Sequence, residues 1–362
     1  MVPLDDPALP LLDVTAGTVE LTRRLCDIES VSGDERRLAD AVQTALAAAS
    51  HLEVTRDGDA IVARTSLGRD RRVVIAGHID TVPINRNLPV REEGGFLHGR
   101  GTVYMKGGVA VALALAVELA EPTVDVTWIF YDHEEVASDL NGLGRLARTH
   151  PELLAGDFAI LMEPSNAGNE GGCNGTARVD IRLTGTRAHS ARAWAGHNAI
   201  HDAAGVLSIL RDYEPQSIEV DGLVYREGLN AVGITGGVAG NVIPDEAVVT
   251  VNFRFAPSRS GDDAIAHLRE VFAGYDLAVT DLAPGARPGL DAPLAQQFVS
   301  AVGGTAAPKY GWTDVARFSE LGIPAVNYGP GDPTFAHADD ERVEIEQILS
   351  CERGLRAWLT AS

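Results

Sequence analysis

Three short runs constrain this chain more than anything else in it. Val73-Val-Ile-Ala76, Asp125-Val-Thr-Trp-Ile-Phe-Tyr131 and Phe158-Ala-Ile-Leu-Met162 are almost continuously apolar. A short apolar run without alternation predicts a strand buried on both faces, at the centre of an α/β sheet. Each run then delivers imidazole or carboxylate at its C-terminal end. The first leads into Gly77-His78-Ile-Asp80, the second into Asp132-His-Glu-Glu135, the third into Glu163-Pro164. Ligands of open α/β sheets collect at that edge. The stretch Gly99-Arg-Gly-Thr-Val-Tyr-Met-Lys-Gly-Gly108 follows the first run and opens the segment Val109 to Val117. That segment reads as a buried helix. It is too short to span a bilayer, which needs about 20 residues.

The flanking chain supports an α/β reading. Thr15 to Ile28 and Arg37 to Ala49 carry apolar residues at helical spacing. Ser30-Val-Ser-Gly-Asp-Glu35 resembles a capping box for the second of these helices. Leu52-Glu-Val-Thr55 and Ala60-Ile-Val-Ala-Arg64 read as short strands. After Gly175 the pattern changes. Ala177 to Leu183 and Ala247 to Phe255 alternate apolar and polar residues, as half-exposed antiparallel strands do. Helical segments at Ala199 to Leu210 and Asp262 to Phe272, with a strand at Asn230 to Ile234, complete a small α+β unit. Asp281-Leu-Ala-Pro-Gly-Ala-Arg-Pro-Gly289 reads as a linker back to α/β character, with a last strand at Pro324 to Tyr328. The expected architecture is a discontinuous domain, residues 1–175 and 283–362, carrying an insertion at residues 176–282. An insertion of about 100 residues is an ordinary domain size.

Composition removes several classes. A formal charge of −21 over 362 residues argues against nucleic acid or an anionic membrane as partner. Cys26, Cys173 and Cys351 are odd in number and widely spaced, which predicts no disulfide framework and a reducing cytoplasm. Met1-Val-Pro-Leu-Asp-Asp-Pro7 has neither the basic nor the apolar part of a signal peptide.

His78, Asp80, Glu134, Glu135, Glu163 and His337 are the candidate chemical groups. Several carboxylates at one point raise one another's pKa unless cations neutralise them. Without a thiolate in the set, a hard or borderline divalent ion is expected, most simply Zn²⁺. Neighbours leaving a strand end point differently, so one of Glu134 and Glu135 can bind metal while the other works as general base. Taken singly, a strand-end His is more often structural and an adjacent Glu pair is usually a solvated face. The joint occurrence at three strand ends is what carries the reading. His98, His133, His150 and His267 are assigned structural roles.

These residues carry a resemblance. Gly77-His78-Ile-Asp80-Thr-Val-Pro83, Gly99 to Gly108, Asp132-His-Glu-Glu135, Met162-Glu163-Pro164 and Phe335-Ala-His337 resemble the motifs of a di-zinc amidohydrolase family. That family includes succinyl-diaminopimelate desuccinylases, acetylornithine deacetylases, aminoacylases and glutamate carboxypeptidases. Cys173-Asn-Gly-Thr176, Arg187 to Arg192, Gly196 to His201, Ala239 to Pro244 and Gly311 to Arg317 are most similar to its actinobacterial desuccinylase branch. The resemblance implies a zinc-exopeptidase-like catalytic domain with a mixed sheet, and an inserted ferredoxin-like dimerisation or lid domain. It implies His78 and Glu163 on one zinc, and Glu135 and His337 on the other, with Co²⁺ able to substitute. Glu134 is then the general base, and Asp80 orients His78. His189 reaches a partner subunit's site in a homodimer to stabilise the oxyanion. Asn241, Arg254, Gly311 and Thr313 surround substrate carboxylates. The implied reaction is hydrolysis of N-succinyl-LL-2,6-diaminopimelate to succinate and LL-diaminopimelate. Two alternatives stand beside it: deacylation of another N-acyl amino acid such as N-acetylornithine, and a degenerate paralogue that binds ligand or one metal without hydrolysis.

The chain departs from the family at Tyr104, where the motif has the aspartate that bridges both metals. A phenol has one oxygen, a reference pKa near 10 and a longer reach. Three outcomes are open: one metal is lost, the ring swings away and water fills the gap, or the site is remodelled for other chemistry.

Overall fold

A computed structural model describes residues 11–361 of the chain. The Met1–Pro7 stretch lies outside the described residues. The chain divides into two compact units. The first comprises Met1–Gly171, Gly289–Ala307 and Thr313–Ser362; the second comprises Gly172–Pro288 and Pro308–Trp312.

The first unit is built on an eight-stranded mixed sheet. Its centre is four parallel strands in the spatial order Asp125–Tyr131, Arg72–His78, Phe158–Leu161, Ala325–Asn327. The first three coincide with the apolar runs, and Asp125–Tyr131 is buried throughout. Antiparallel strands flank them, Ala60–Arg64 on one side and Glu170–Gly171 on the other. Parallel pairing puts the C-terminal ends of all four central strands on one edge, and His78, Asp80, Glu134, Glu135 and Glu163 lie at or just beyond three of those ends.

The helix Lys106–Glu118 is apolar all round, with Lys106 through Ala116 buried. A helix without a polar face belongs inside. Thr18–Asp27 and Ile345–Thr360 pack on it. Its N-terminal turn has to be glycine. A Cβ on Gly108 would stand 2.3 Å from the carbonyl oxygen of Met162, at the strand end that carries Glu163. A small three-stranded sheet, Arg91–Glu93, Phe96–His98 and Arg342–Glu344, fixes the chain just beyond His337.

The second unit is α+β. Its antiparallel sheet runs Gly228–Gly236, Glu246–Phe255, Gly175–Thr184, Asp276–Ala283. Alternate residues of the two central strands, such as Val179, Ile181, Val249 and Val251, are buried with the helices Ala199–Asp212 and Gly261–Val271. Asp281 to Ala283, expected in a linker, instead end the last strand, because pairing with Thr176 to Arg178 extends it to the proline. A hairpin, Ser217–Val220 with Leu223–Arg226, was not foreseen from the sequence.

Candidate metal centre

His78 is the last residue of its strand and pairs in register with Tyr131. Asp80 follows two residues later and is the most heavily bonded group of the site. It is fully buried. Its carboxylate accepts the backbone N–H groups of Glu134 at 3.0 Å and Glu135 at 3.1 Å, and the Ser32 hydroxyl at 2.6 Å. Its Oδ1 lies 3.3 Å from His78 Nδ1. One carboxylate thus joins the end of the first strand to the turn after the second. Burial opposes its charge, but the bonds from His78, Ser32 and the Glu134 amide outweigh that and hold its pKa at about 2.

Ser32 and Glu35 correct the capping-box expectation. The helix Arg36–Ala47 has no side-chain cap. Ser32 is spent on Asp80. The Glu35 carboxylate, fully buried, accepts the N–H groups of Gly33 at 3.0 Å and His133 at 3.2 Å. Both residues brace the turn that carries Glu134 and Glu135. His133 itself takes a left-handed φ of 59° and pairs with Asp132 at 2.7 Å, in keeping with the structural role expected of it.

Glu134 Oε2 lies 3.9 Å from His78 Nε2. Burial pushes the Glu134 carboxyl well above the usual carboxylate range. His78 opposes the shift, and Glu163, Asp314 and Glu135 reinforce it. His337, at φ 65° in the loop after Pro333–Phe335, places Nε2 2.8 Å from Glu135 Oε1. Glu163 is buried two residues past its strand.

Tyr104 stands against both histidines. Its ring centroid is 5.0 Å from that of His78 and 5.1 Å from that of His337. Burial, then the charges of Glu134, Glu163 and Glu135, hold the phenol well above its ordinary pKa, so it stays protonated. Glu341 anchors the loop beneath it. This buried carboxylate accepts the N–H groups of Val103 and Tyr104, each at 3.1 Å, and pairs with Arg100 at 2.8 Å.

The donors suit a divalent ion in kind. His78 Nδ1 is anchored on Asp80, while its buried Nε2 makes no hydrogen bond among the described residues. That is the arrangement of an imidazole oriented to ligate. Among the described residues, no three His, Cys, Asp or Glu side chains are grouped as a metal site.

The remaining candidates fall elsewhere. His189, Asn241, Arg254 and Gly311 belong to the second unit. His189 is exposed, and its Nδ1 accepts the Ala191 N–H at 3.0 Å. Arg254 is half-buried with Nε on Asn252 at 3.1 Å. Thr313 is in the first unit, buried, its hydroxyl on Asn327 at 2.8 Å. The neighbouring Asp314 accepts from Tyr131 at 2.8 Å and Asn141 at 3.0 Å. The sequence reading missed Ser32, Glu35, Glu341 and Asp314 as supports of the site. The acidic residues flanking His337 and following Trp312 were the only available hint.

A mixed sheet with imidazole and carboxylates gathered at its C-terminal edge defines the class, a metallohydrolase of the zinc-exopeptidase type. The chain belongs to peptidase family M20/M25/M40, which it matches over residues 74–361, a family of metallopeptidases. It is 54% identical to a Mycobacterium tuberculosis protein provisionally named succinyl-diaminopimelate desuccinylase DapE, over 96% of this chain and 99% of that one. It is 46% identical to the succinyl-diaminopimelate desuccinylase of Corynebacterium glutamicum, over 97% and 98%. Its fold is that of a Staphylococcus aureus tripeptidase, with a TM-score of 0.78 at 21% identity, covering 97% of this chain and 98% of that chain. No helix of the described residues is long and apolar enough to cross a membrane.

Proposed function

We propose that this chain hydrolyses the amide of N-succinyl-LL-2,6-diaminopimelate to succinate and LL-diaminopimelate, in the cytoplasm, as a step towards lysine and peptidoglycan precursors. The observation that carries the reading is near-full-length identity to two proteins of that name. Its chemical counterpart is Glu134, a carboxyl that burial makes a good proton carrier. Three buried free cysteines accord with a reducing compartment.

His78 and Glu163 would hold one ion, and Glu135 and His337 the other. Zn²⁺ is the natural occupant, with Co²⁺ as substitute. A divalent ion there supplies polarisation of the amide carbonyl and acidification of water. Glu134 takes the proton of the attacking water and returns it to the departing amine. Asp80 keeps His78 in one tautomer and, through two backbone N–H groups, keeps Glu134 facing it. Asn241, Arg254, Gly311 and Thr313 contribute to recognition of the substrate's carboxylates. His189 of a second subunit stabilises the oxyanion. Comparing kcat/KM for the N-succinyl substrate and N-acetylornithine tests the reading. A clear succinyl preference is expected, and equal turnover would overturn it.

A second reading is supported by the Tyr104 ring against both histidines. It is a paralogue that binds ligand or one metal without hydrolysing. Absence of turnover on either substrate, with retained substrate binding, would select it.

A further inference from the structure

We infer that Asp314 is a positioning residue for Glu134: its buried carboxylate clamps both ends and the middle of the excursion at residues 132–140 that carries the proposed general base. The inference rests on the role of Glu134 given under Proposed function and adds a second hold on that group besides Asp80.

The excursion leaves the strand Asp125–Tyr131 and returns at the helix Gly142–Thr149. Its outer half has little to pack on. Residues 136–140 are all exposed, the apolar Val136 by 42% and Leu140 by 51%. A segment with so few buried contacts depends on polar ties for its shape.

Asp314, at the N-terminal end of the helix Val315–Glu320, supplies those ties while itself fully buried. At the entry, the Tyr131 hydroxyl donates to it at 2.8 Å. At the exit, Asn141 Nδ2 donates at 3.0 Å, while Asn141 Oδ1 accepts the Gly144 N–H at 2.9 Å and caps the helix there. Between the two, the Arg317 guanidinium pairs with Asp314 through Nε and donates to the Ser138 hydroxyl at 3.0 Å. The sequence keeps room for that guanidinium, since a Cβ on Gly144 would stand 2.8 Å from one of its nitrogens.

Tyr131 carries the hold towards the chemistry. It pairs in register with His78, its carbonyl accepts the Ile79 N–H at 2.8 Å, and its ring stands edge-on to the His78 imidazole at 6.1 Å. Glu134 lies 3.9 Å from that imidazole. Asp80 and Glu35 hold amides inside the turn, and Asp314 holds its ends. A misplacement of about 1 Å at a reacting group can cost about 100-fold in rate. Such a cost falls on kcat and not on KM, because Glu134 serves the transition state and not substrate binding.

Tyr131→Phe, which removes one hydroxyl, and Asp314→Asn test this by two readouts. In steady-state kinetics on the N-succinyl substrate, each should lower kcat about 10–100-fold with KM within about threefold. The double variant should fall no further than the worse single one, as expected of residues acting through each other. Hydrogen–deuterium exchange should show residues 132–141 exchanging about 10-fold faster, the size of one lost buried hydrogen bond, with the strand Phe158–Leu161 unchanged. A lowered melting temperature with kcat and local exchange both unaltered would make Asp314 a fold-stabilising group and overturn the inference. So would a raised KM with kcat intact, or losses that add in the double variant. If Asp314→Asn does not fold, Tyr131→Phe carries both readouts. If the unmodified chain turns over no substrate, exchange decides. Faster exchange confined to residues 132–141 then keeps the clamp while sinking the hydrolytic reading, and unchanged exchange sinks the clamp.

Discussion

A carboxylate at position 104 would add a negative charge beside His78 and His337 and take away the ring packed on both. Two cations a few ångströms apart repel strongly, and a shared carboxylate offsets that repulsion. Tyr104→Asp is therefore expected to raise the bound metal to two per chain and turnover by at least about 100-fold. Metal analysis and steady-state kinetics on the same preparation check it. An unmodified chain already holding two ions tightly, with activity that falls in Tyr104→Asp, would make Tyr104 a working part of different chemistry. Glu134→Gln tests the opposite function. It keeps the volume and removes the proton carrier, so hydrolysis should fall at least about 100-fold with metal content unchanged. The resemblance singles out Tyr104 in the sequence, but not its surroundings. Only side-chain placement reveals that the ring reaches both histidines.

At the scale of elements, the central strands and the buried helix are plain in the sequence. Their faces are all covered, so apolarity is continuous and needs no register to be recognised. The supports of the site are opaque for an equally physical reason. Ser32 and Glu35 have the residue types of a helix cap, yet their oxygens are spent on Asp80 and on the His133 amide. Only tertiary contact decides between the two uses. Glu341 and Asp314 are hidden likewise, because a buried carboxylate that bonds backbone N–H groups leaves no periodic trace. Two-residue elements such as Glu170–Gly171 are too short to have a period at all. Two expectations belong here. Gly108→Ala gains about 1 kcal/mol of helix propensity, but its methyl meets the Met162 carbonyl. A net loss of about 1–3 kcal/mol in urea unfolding is expected, as for overpacked sites. Asp125, at the start of its strand, accepts from Thr65 Oγ at 2.9 Å and from the amides of Leu67 at 2.8 Å and Arg69 at 2.9 Å. Burial works against its charge, but these bonds lower its pKa overall. A depressed carboxyl stabilises the fold above its unfolded pKa and loses that contribution as pH falls through the folded value. Asp125→Asn should then cost about 1–3 kcal/mol at pH 7, a gap that closes in melts below about pH 4.

For the whole molecule, the assembly state is the first thing to measure. The edge strand Gly228–Gly236 presents Val232 and Ile234 to solvent, and sheet edges of this kind are commonly covered by pairing. A homodimer is expected by light scattering, and mixing Glu134→Gln with His189→Ala chains should recover part of the activity that each lacks. A fully active monomer would remove the proposed role of His189. The order of the chain also has a consequence in time. Ala325–Asn327 is the partner of both Phe158–Leu161 and Glu170–Gly171 in the first unit's sheet, and His337 comes later still. During synthesis, the strand edge beside Glu163 waits open while more than a third of the protein is made. A nascent chain stalled before residue 325 carries His78, Glu134 and Glu135 on an unfinished sheet. Such a chain is an invitation to aggregation and to chaperones until its last central strand arrives.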